Sequence, residues 1–341
     1  MARSRTPSFY TPAWACNMTP RITLKGNGSP PAFVPSLALL TACLVVVAVV
    51  DPQFLTTRAV ADFLRSNLPI IFIAVGQTIV VIGGGIDLSL GAILTLSSVV
   101  MVTLLTEATT VSGIFSALFV GVIVGGGAGL LNGIVITTVR LQPVIATFAM
   151  SFIWGGLALW VFPRPGGQVP DEIMSLVRLN PLLPFGLWVV GAICGVWWWA
   201  SQTRFIRHLL AAGGNQTSAF SSGISIDRVR VLSYGVAGLM TGIGSLFLIA
   251  DIGTGDPLIG APLVLPSVVA LIIGGTRLSG GRGSVVGTIV GVVVLGLFRQ
   301  IVFYLDLPSD WQPFADGVLT ICALAGPGAI ALFSPRWRVK I

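Results

Sequence analysis

Gly83-Gly84-Gly85-Ile86-Asp87-Leu88-Ser89-Leu90-Gly91 stands between two apolar runs, near 68–84 and 90–106. Three consecutive glycines break a helix, and a broken helix at membrane depth is tolerated only where protein or a watery cavity surrounds it. The lone carboxylate of Asp87 has two readings. An ionisable residue at such a break is a functional candidate in its own right. Alternatively, it caps a helix starting at Leu88 by accepting backbone N–H bonds. The sequence leaves both open.

The rest of the chain explains why the break is read at membrane depth. Of 341 residues, 54% are hydrophobic and 9% charged, and the mean hydropathy is +0.94. A soluble domain carries about 25% charged residues, so this chain cannot cover a water-facing surface and lipid is its main solvent. Forty-two glycines fit close packing of transmembrane helices. The net charge of +7 sits in short clusters between apolar runs, as the positive-inside rule places it, and does not indicate nucleic-acid binding. Cys43, Cys194 and Cys322 lie in apolar runs and Cys16 in the N-terminal tail, without metal-ligand or redox spacing. His208 is the only histidine, so no metal site is expected.

A span needs about 20 mostly apolar residues. Ten candidates run near 36–54, 68–84, 90–106, 112–138, 143–162, 185–200, 230–250, 263–275, 284–305 and 314–333. The apolar run Leu37 to Val50 is followed by no small-x-small cleavage site, which points to an uncleaved first helix. With the N-terminus in the cytoplasm, inner segments hold fourteen of the 19 basic residues and outer ones four: Arg58, Arg65, Arg164 and Arg178. Arg299 falls within a span. That asymmetry supports a multi-pass protein with both termini cytoplasmic. The expected layout is a disordered cytoplasmic tail over 1–34, a transmembrane region over 35–335 and a short tail over 336–341. The longest inner loop, 201–229, is basic. The longest outer loop, 163–184, is expected to be made of turns more than helix.

Gly121, Gly125, Gly129 and Gly133 form a ladder of G-x-x-x-G pairs, and Gly283, Gly287 and Gly291 form a second. Both predict close packing against a neighbouring backbone. Gln77, Asn132 and Thr147 are polar residues within spans that either line a path or bond across helices. The run Gly274 to Gly283 resembles a phosphate loop but lacks the G-K-[ST] ending, and the only lysines are Lys25 and Lys340. It is read as a compact turn. Trp197, Trp198 and Trp199 predict an anchored helix end at the membrane interface.

Taken together, several blocks resemble the ribose-type sugar permeases of ATP-binding cassette importers, in the branched-chain amino acid/monosaccharide permease family. They are Gly84 to Gly91, Asn132-Gly133, Gln142 to Thr147, Thr203-Arg204-Phe205, Ala212 to Asn215, Ser222 to Ile224 and Ile273 to Ser284, in family order across 36–333. The resemblance implies an all-α, type II importer bundle of about ten transmembrane helices in a bacterial inner membrane. It implies a second permease copy or paralogue, two cytoplasmic ABC ATPase domains that bind the ATP, and a periplasmic or extracellular solute-binding protein. The chain itself would hold no cofactor and no catalytic residue. Path or helix-break candidates are Gln77, Asp87, Ser89, Asn132 and Thr147. The 201–229 loop becomes the coupling element, with Gly214, Asn215, Ala219, Gly223 and Ile224 at the ATPase. Two places depart from the family pattern: Gln216-Thr217-Ser218 follows Asn215 where an acid is usual, and Leu265-Pro266-Ser267 lacks an acid many sugar members carry. A monosaccharide is the expected solute.

Two rival readings remain. An ion-gradient-driven transporter normally shows several intramembrane ionisable residues as a relay, whereas only Asp87 and Arg299 qualify here. An intramembrane prenyltransferase needs paired aspartate motifs, and Asp306 and Asp310 have no second pair.

Overall fold

A bilayer offers no hydrogen bonds to an exposed backbone, so long apolar runs must satisfy their amides internally and become helices. The computed structural model describes residues 34–304 except 109 and 179–183, together with Trp311, Phe314, Gly317, Val318 and Ile321. Twelve α-helices are named among them: α1 Val34–Val50, α2 Thr57–Ile82, α3 Leu90–Glu107, α4 Val111–Val139, α5 Pro143–Val161, α6 Asp171–Val177, α7 Phe185–Ser201, α8 Arg204–Gly214, α9 Gln216–Ser221, α10 Ile226–Ile252, α11 Val264–Ile273 and α12 Val285–Tyr304. Among the described residues no strand forms beyond an isolated bridge between Gly166 and Gly255. The all-α expectation holds.

Among the described residues, six helices are long and apolar enough to cross a membrane: α2, α3, α4, α5, α10 and α12. α1, α7 and α11 are shorter apolar helices. Nine of the ten expected spans therefore appear as helices. The expected span near 314–333 and both tails lie outside the described residues, apart from isolated positions. Three boundaries are corrected. α2 begins at Thr57, eleven residues before its expected start, because Thr56 caps it by accepting from the Ala59 N–H at 3.3 Å. Two of its early charges are paired: Arg65 meets Asp62 at 2.8 Å and Asp251 of α10 at 2.6 Å. The expected turn-rich loop over 163–184 contains α6, whose first turn carries Asp171 and Glu172 where the helix dipole favours acids. α11 is only 10 residues long, about half a bilayer crossing at 1.5 Å per residue.

Glycine decides the packing at the centre. α10 lies against α4, α2 and α3, and most of the ladder glycines meet a neighbouring backbone, except that Gly121 faces the Met101 side chain and Gly283, outside α12, faces Ile82 and Thr276 side chains. A Cβ on Gly129 would strike the Tyr234 carbonyl, and one on Gly125 would sit 2.7 Å from the Gly238 oxygen. Gly238 and Gly242 answer from α10, so the two backbones touch. In the second ladder Gly287 abuts Gly274, and Gly291 abuts the Ala270 carbonyl, seating α11 on α12. Outward faces are apolar: Phe119 is 67% exposed and Trp198 70%, as lipid solvent permits. Trp198 and Trp199 sit three and two residues before the end of α7.

Candidate functional site

The break between α2 and α3 gathers every path or helix-break candidate read from the sequence. Gly83 and Gly84 turn the chain out of α2, Gly84 at φ +83° where a side chain is rarely tolerated. Asp87 then lies fully buried. Its Oδ1 accepts from the Ser89 N–H at 2.8 Å and the Ser89 hydroxyl at 2.6 Å. Its Oδ2 faces the Asn132 amide of α4 at 3.4 Å, and the same amide donates to Ser89 Oγ at 2.6 Å. Gln77 of α2, its carboxamide oriented to satisfy both groups, donates to the Asp87 carbonyl at 3.0 Å and accepts from the Asp87 N–H at 3.3 Å. Thr147 of α5 accepts from the Leu88 N–H at 3.0 Å and donates to the Ile86 carbonyl at 3.3 Å.

Two members of this cluster were not singled out from the sequence. The Trp154 indole donates to Asn132 Oδ1 at 3.0 Å, and the Tyr234 hydroxyl donates to the Ile86 carbonyl at 3.4 Å. Gln77, Asp87, Ser89, Asn132 and Thr147 have no exposed surface at all. The cluster therefore serves the backbone freed by the glycines: α2, α4, α5 and α10 each send a side chain to residues 86–89. Asp87 does not cap a helix at Leu88. α3 starts at Leu90, and the carboxylate holds the N–H of Ser89, the residue before its first turn. No group of three metal-ligating side chains occurs among the described residues.

At the same end of the bundle the loop 201–229 folds into α8 and α9. α8 buries Ile206, Leu209 and Ala212 on one face. Asn215 caps α9 by accepting from the Ser218 N–H at 2.9 Å. Gly223, at φ +81°, closes the loop, and the Ile224 N–H donates to the Ala219 carbonyl at 3.1 Å. Ala219 is buried at 4% exposure, whereas Phe220 stands 73% exposed at the tip. Ala219 thus packs inward, and α9 turns Phe220 outward. A six-residue helix has too little periodicity to reveal its outward face from sequence.

The two regions meet through glycine. A Cβ on Gly213 would run into the Ile82 carbonyl, which also accepts from the Gly281 N–H at 2.9 Å. A Cβ on Gly280 would lie 2.9 Å from both Gly84 Cα and the Gly213 carbonyl oxygen, and one on Gly281 2.5 Å from Gly214 Cα. The late loop is the compact turn expected, closed by the Arg277 N–H donating to the Arg282 carbonyl at 3.1 Å. Three loops thus touch backbone to backbone: the α2–α3 break, the α8–α9 joint and the turn before α12.

A bundle of helices long and apolar enough to cross a membrane, with a buried polar clasp on a broken helix and a small two-helix loop resting on it, defines a multi-pass membrane protein. The chain belongs to the family described as branched-chain amino acid transport system / permease component, whose profile matches residues 59–324. It is 31% identical over 288 residues to the ribose import permease protein of Bacillus subtilis (strain 168), covering 82% of this chain and 88% of that one. It is 27% identical over 299 residues to the ribose import permease protein of Escherichia coli (strain K12), covering 85% and 91%. It is 30% identical over 278 residues to the L-arabinose ABC transporter permease protein of Azospirillum brasilense, covering 80% of each. No solved structure matches the chain. The protein is the permease component of an ATP-binding cassette importer, a transport subunit.

Proposed function

We propose that this permease carries a monosaccharide, a pentose or hexose, across a bacterial inner membrane into the cytoplasm. Relatives named for ribose and L-arabinose, each matching at least 80% of this chain, carry the sugar reading. Both termini face the cytoplasm, which puts α8, α9 and the 274–284 turn on the ATPase side. Two permease chains pair, this one with a second copy or a paralogue, over two ATPase domains. A binding protein delivers sugar to the opposite face. The chain needs no cofactor of its own, since the ATPase partner binds the ATP.

Phe220 seats in the ATPase, as an apolar anchor on a short helix does in a groove. A displacement of α8–α9 then reaches the α2–α3 break through Gly213, Gly214, Gly280 and Gly281, because close backbone contacts transmit movement without side-chain slack. Gly214, Asn215, Gly223 and Ile224 shape the coupling element and hold Phe220 in place. The test is uptake into proteoliposomes holding the permease, its ATPase and its binding protein. Labelled ribose and arabinose should accumulate, and unlabelled pentose should compete while leucine does not. Competition by branched-chain amino acids and none by sugars would overturn the substrate reading.

A further inference from the structure

A groove of about 600 Å³ opens on the outside of the bundle between α2, α7 and α10, and the first residues of α8 close one end of it. On α7 it runs from Val189 to Ala200, about 16 Å at 1.5 Å per residue. One leaflet of the hydrocarbon core is about 15 Å deep, and a helix crossing both leaflets needs about 30 Å of wall. The groove therefore matches an acyl chain in length and is half of what a transmembrane partner would use. Its walls are apolar, with Phe72 of α2, Val196 of α7 and Met240 of α10. Polar side-chain groups line it only near the α8 end: the Thr203 hydroxyl and the indoles of Trp197 and Trp199.

Positive charge collects at that same end. Arg204 and Arg207 stand three residues apart on α8, hence as neighbours on one face, and both are exposed. Arg207 Nε donates back to the Thr203 carbonyl at 3.4 Å, which holds its guanidinium beside the groove wall. Neither arginine is in an ion pair among the described residues, and no carboxylate lines the groove. Arg140 and Arg230 form a contrasting hollow, which they share with Asp227.

We propose that the groove binds an anionic phospholipid, one acyl chain lying along α7 with the phosphate held by Arg204 and Arg207. The planar guanidinium makes paired hydrogen bonds to phosphate oxygens, and basic pockets between helices at a membrane surface recognise acidic headgroups on that basis. A free phosphate ion has no chain to fill the trough, so the lipid is the occupant. The site is separate from the polar clasp and stands whichever solute the permease carries. Phe205 and Ile206 also line it, so the bound lipid braces the helix that leads into α9.

The test takes the permease assembled with its ATPase in detergent and offers phosphatidylglycerol and phosphatidylcholine of identical chains. Native mass spectrometry should find the anionic lipid retained about tenfold over the zwitterionic one. Arg204→Gln combined with Arg207→Gln should bring that ratio close to one, and Val196→Trp, which fills the trough, should lower retention of both lipids. Should the double variant fail to assemble, the wild-type ratio still decides. Equal retention of the two lipids by the wild type, or a preference that survives loss of both arginines, would overturn the proposal. A benzophenone attached at Val196→Cys, in a chain whose four native cysteines are serine, reports what fills the trough. Phospholipid adducts are expected; adducts to the 314–333 span or to a second copy of the chain would overturn the lipid site.

Discussion

Asp87 offers two oxygens to three donors, two from Ser89 and one from Asn132. An asparagine keeps one acceptor oxygen for both Ser89 donors and loses only the 3.4 Å contact, where its amide would meet that of Asn132. Asp87→Asn should therefore assemble with close to wild-type yield. Asp87→Leu strands the Ser89 N–H and the Ser89 hydroxyl, each an unsatisfied buried group costing about 1–3 kcal/mol, and complex yield should collapse. Complex recovery and uptake for both variants decide between clasp and charge: normal assembly without uptake in Asp87→Asn would show that the charge acts in transport. Phe220 tests the other end of the chain of contacts. Phe220→Ser removes an exposed side chain, so fold and yield should stay unchanged while transport falls roughly tenfold, the equivalent of about 1.4 kcal/mol at the ATPase surface. Unchanged transport would remove Phe220 from the coupling. The five polar candidates were legible because polar groups in apolar spans must find partners. Trp154 and Tyr234 were not, because aromatic rings in apolar helices read as packing, and their partners lie 22 and 148 residues away.

Among the elements, the glycine junction sorts substitutions by geometry. Gly213→Ala drives a methyl into the Ile82 carbonyl, and Gly280→Ala adds a side chain at φ +83° beside Gly84. Each should cost about 1–3 kcal/mol through overpacking and uncouple ATP hydrolysis from uptake. Gly127→Ala, where a Cβ meets nothing, should leave both unchanged. ATPase rate and uptake measured side by side check this; Gly213→Ala with a normal ratio of the two would break the proposed link. Hydropathy showed where the helices lie, since burial in lipid needs apolar length. It did not show how short the helix at 263–275 is, because it weighs side chains, not backbone. The stretch between α10 and α11 did leave a signal: Gly253, Gly255, Pro257, Gly260 and Pro262 crowd ten residues with helix breakers.

At the scale of the whole molecule, the clasp, the glycine junction and the two-helix loop lie at one end of the bundle, and the Arg65–Asp251 pair and α6 at the other. Force applied at the loop thus enters the membrane domain where its helices are already broken. Hydrolysis is left to a partner, so transport should follow ATP and no ion gradient. The direct measurement is sugar uptake into proteoliposomes containing the permease, its ATPase and its binding protein, with ATP inside or outside the lumen and with a protonophore added. Uptake that needs ATP on the loop side and persists with the protonophore is the predicted result; uptake that continues without ATP and collapses with the protonophore would contradict it.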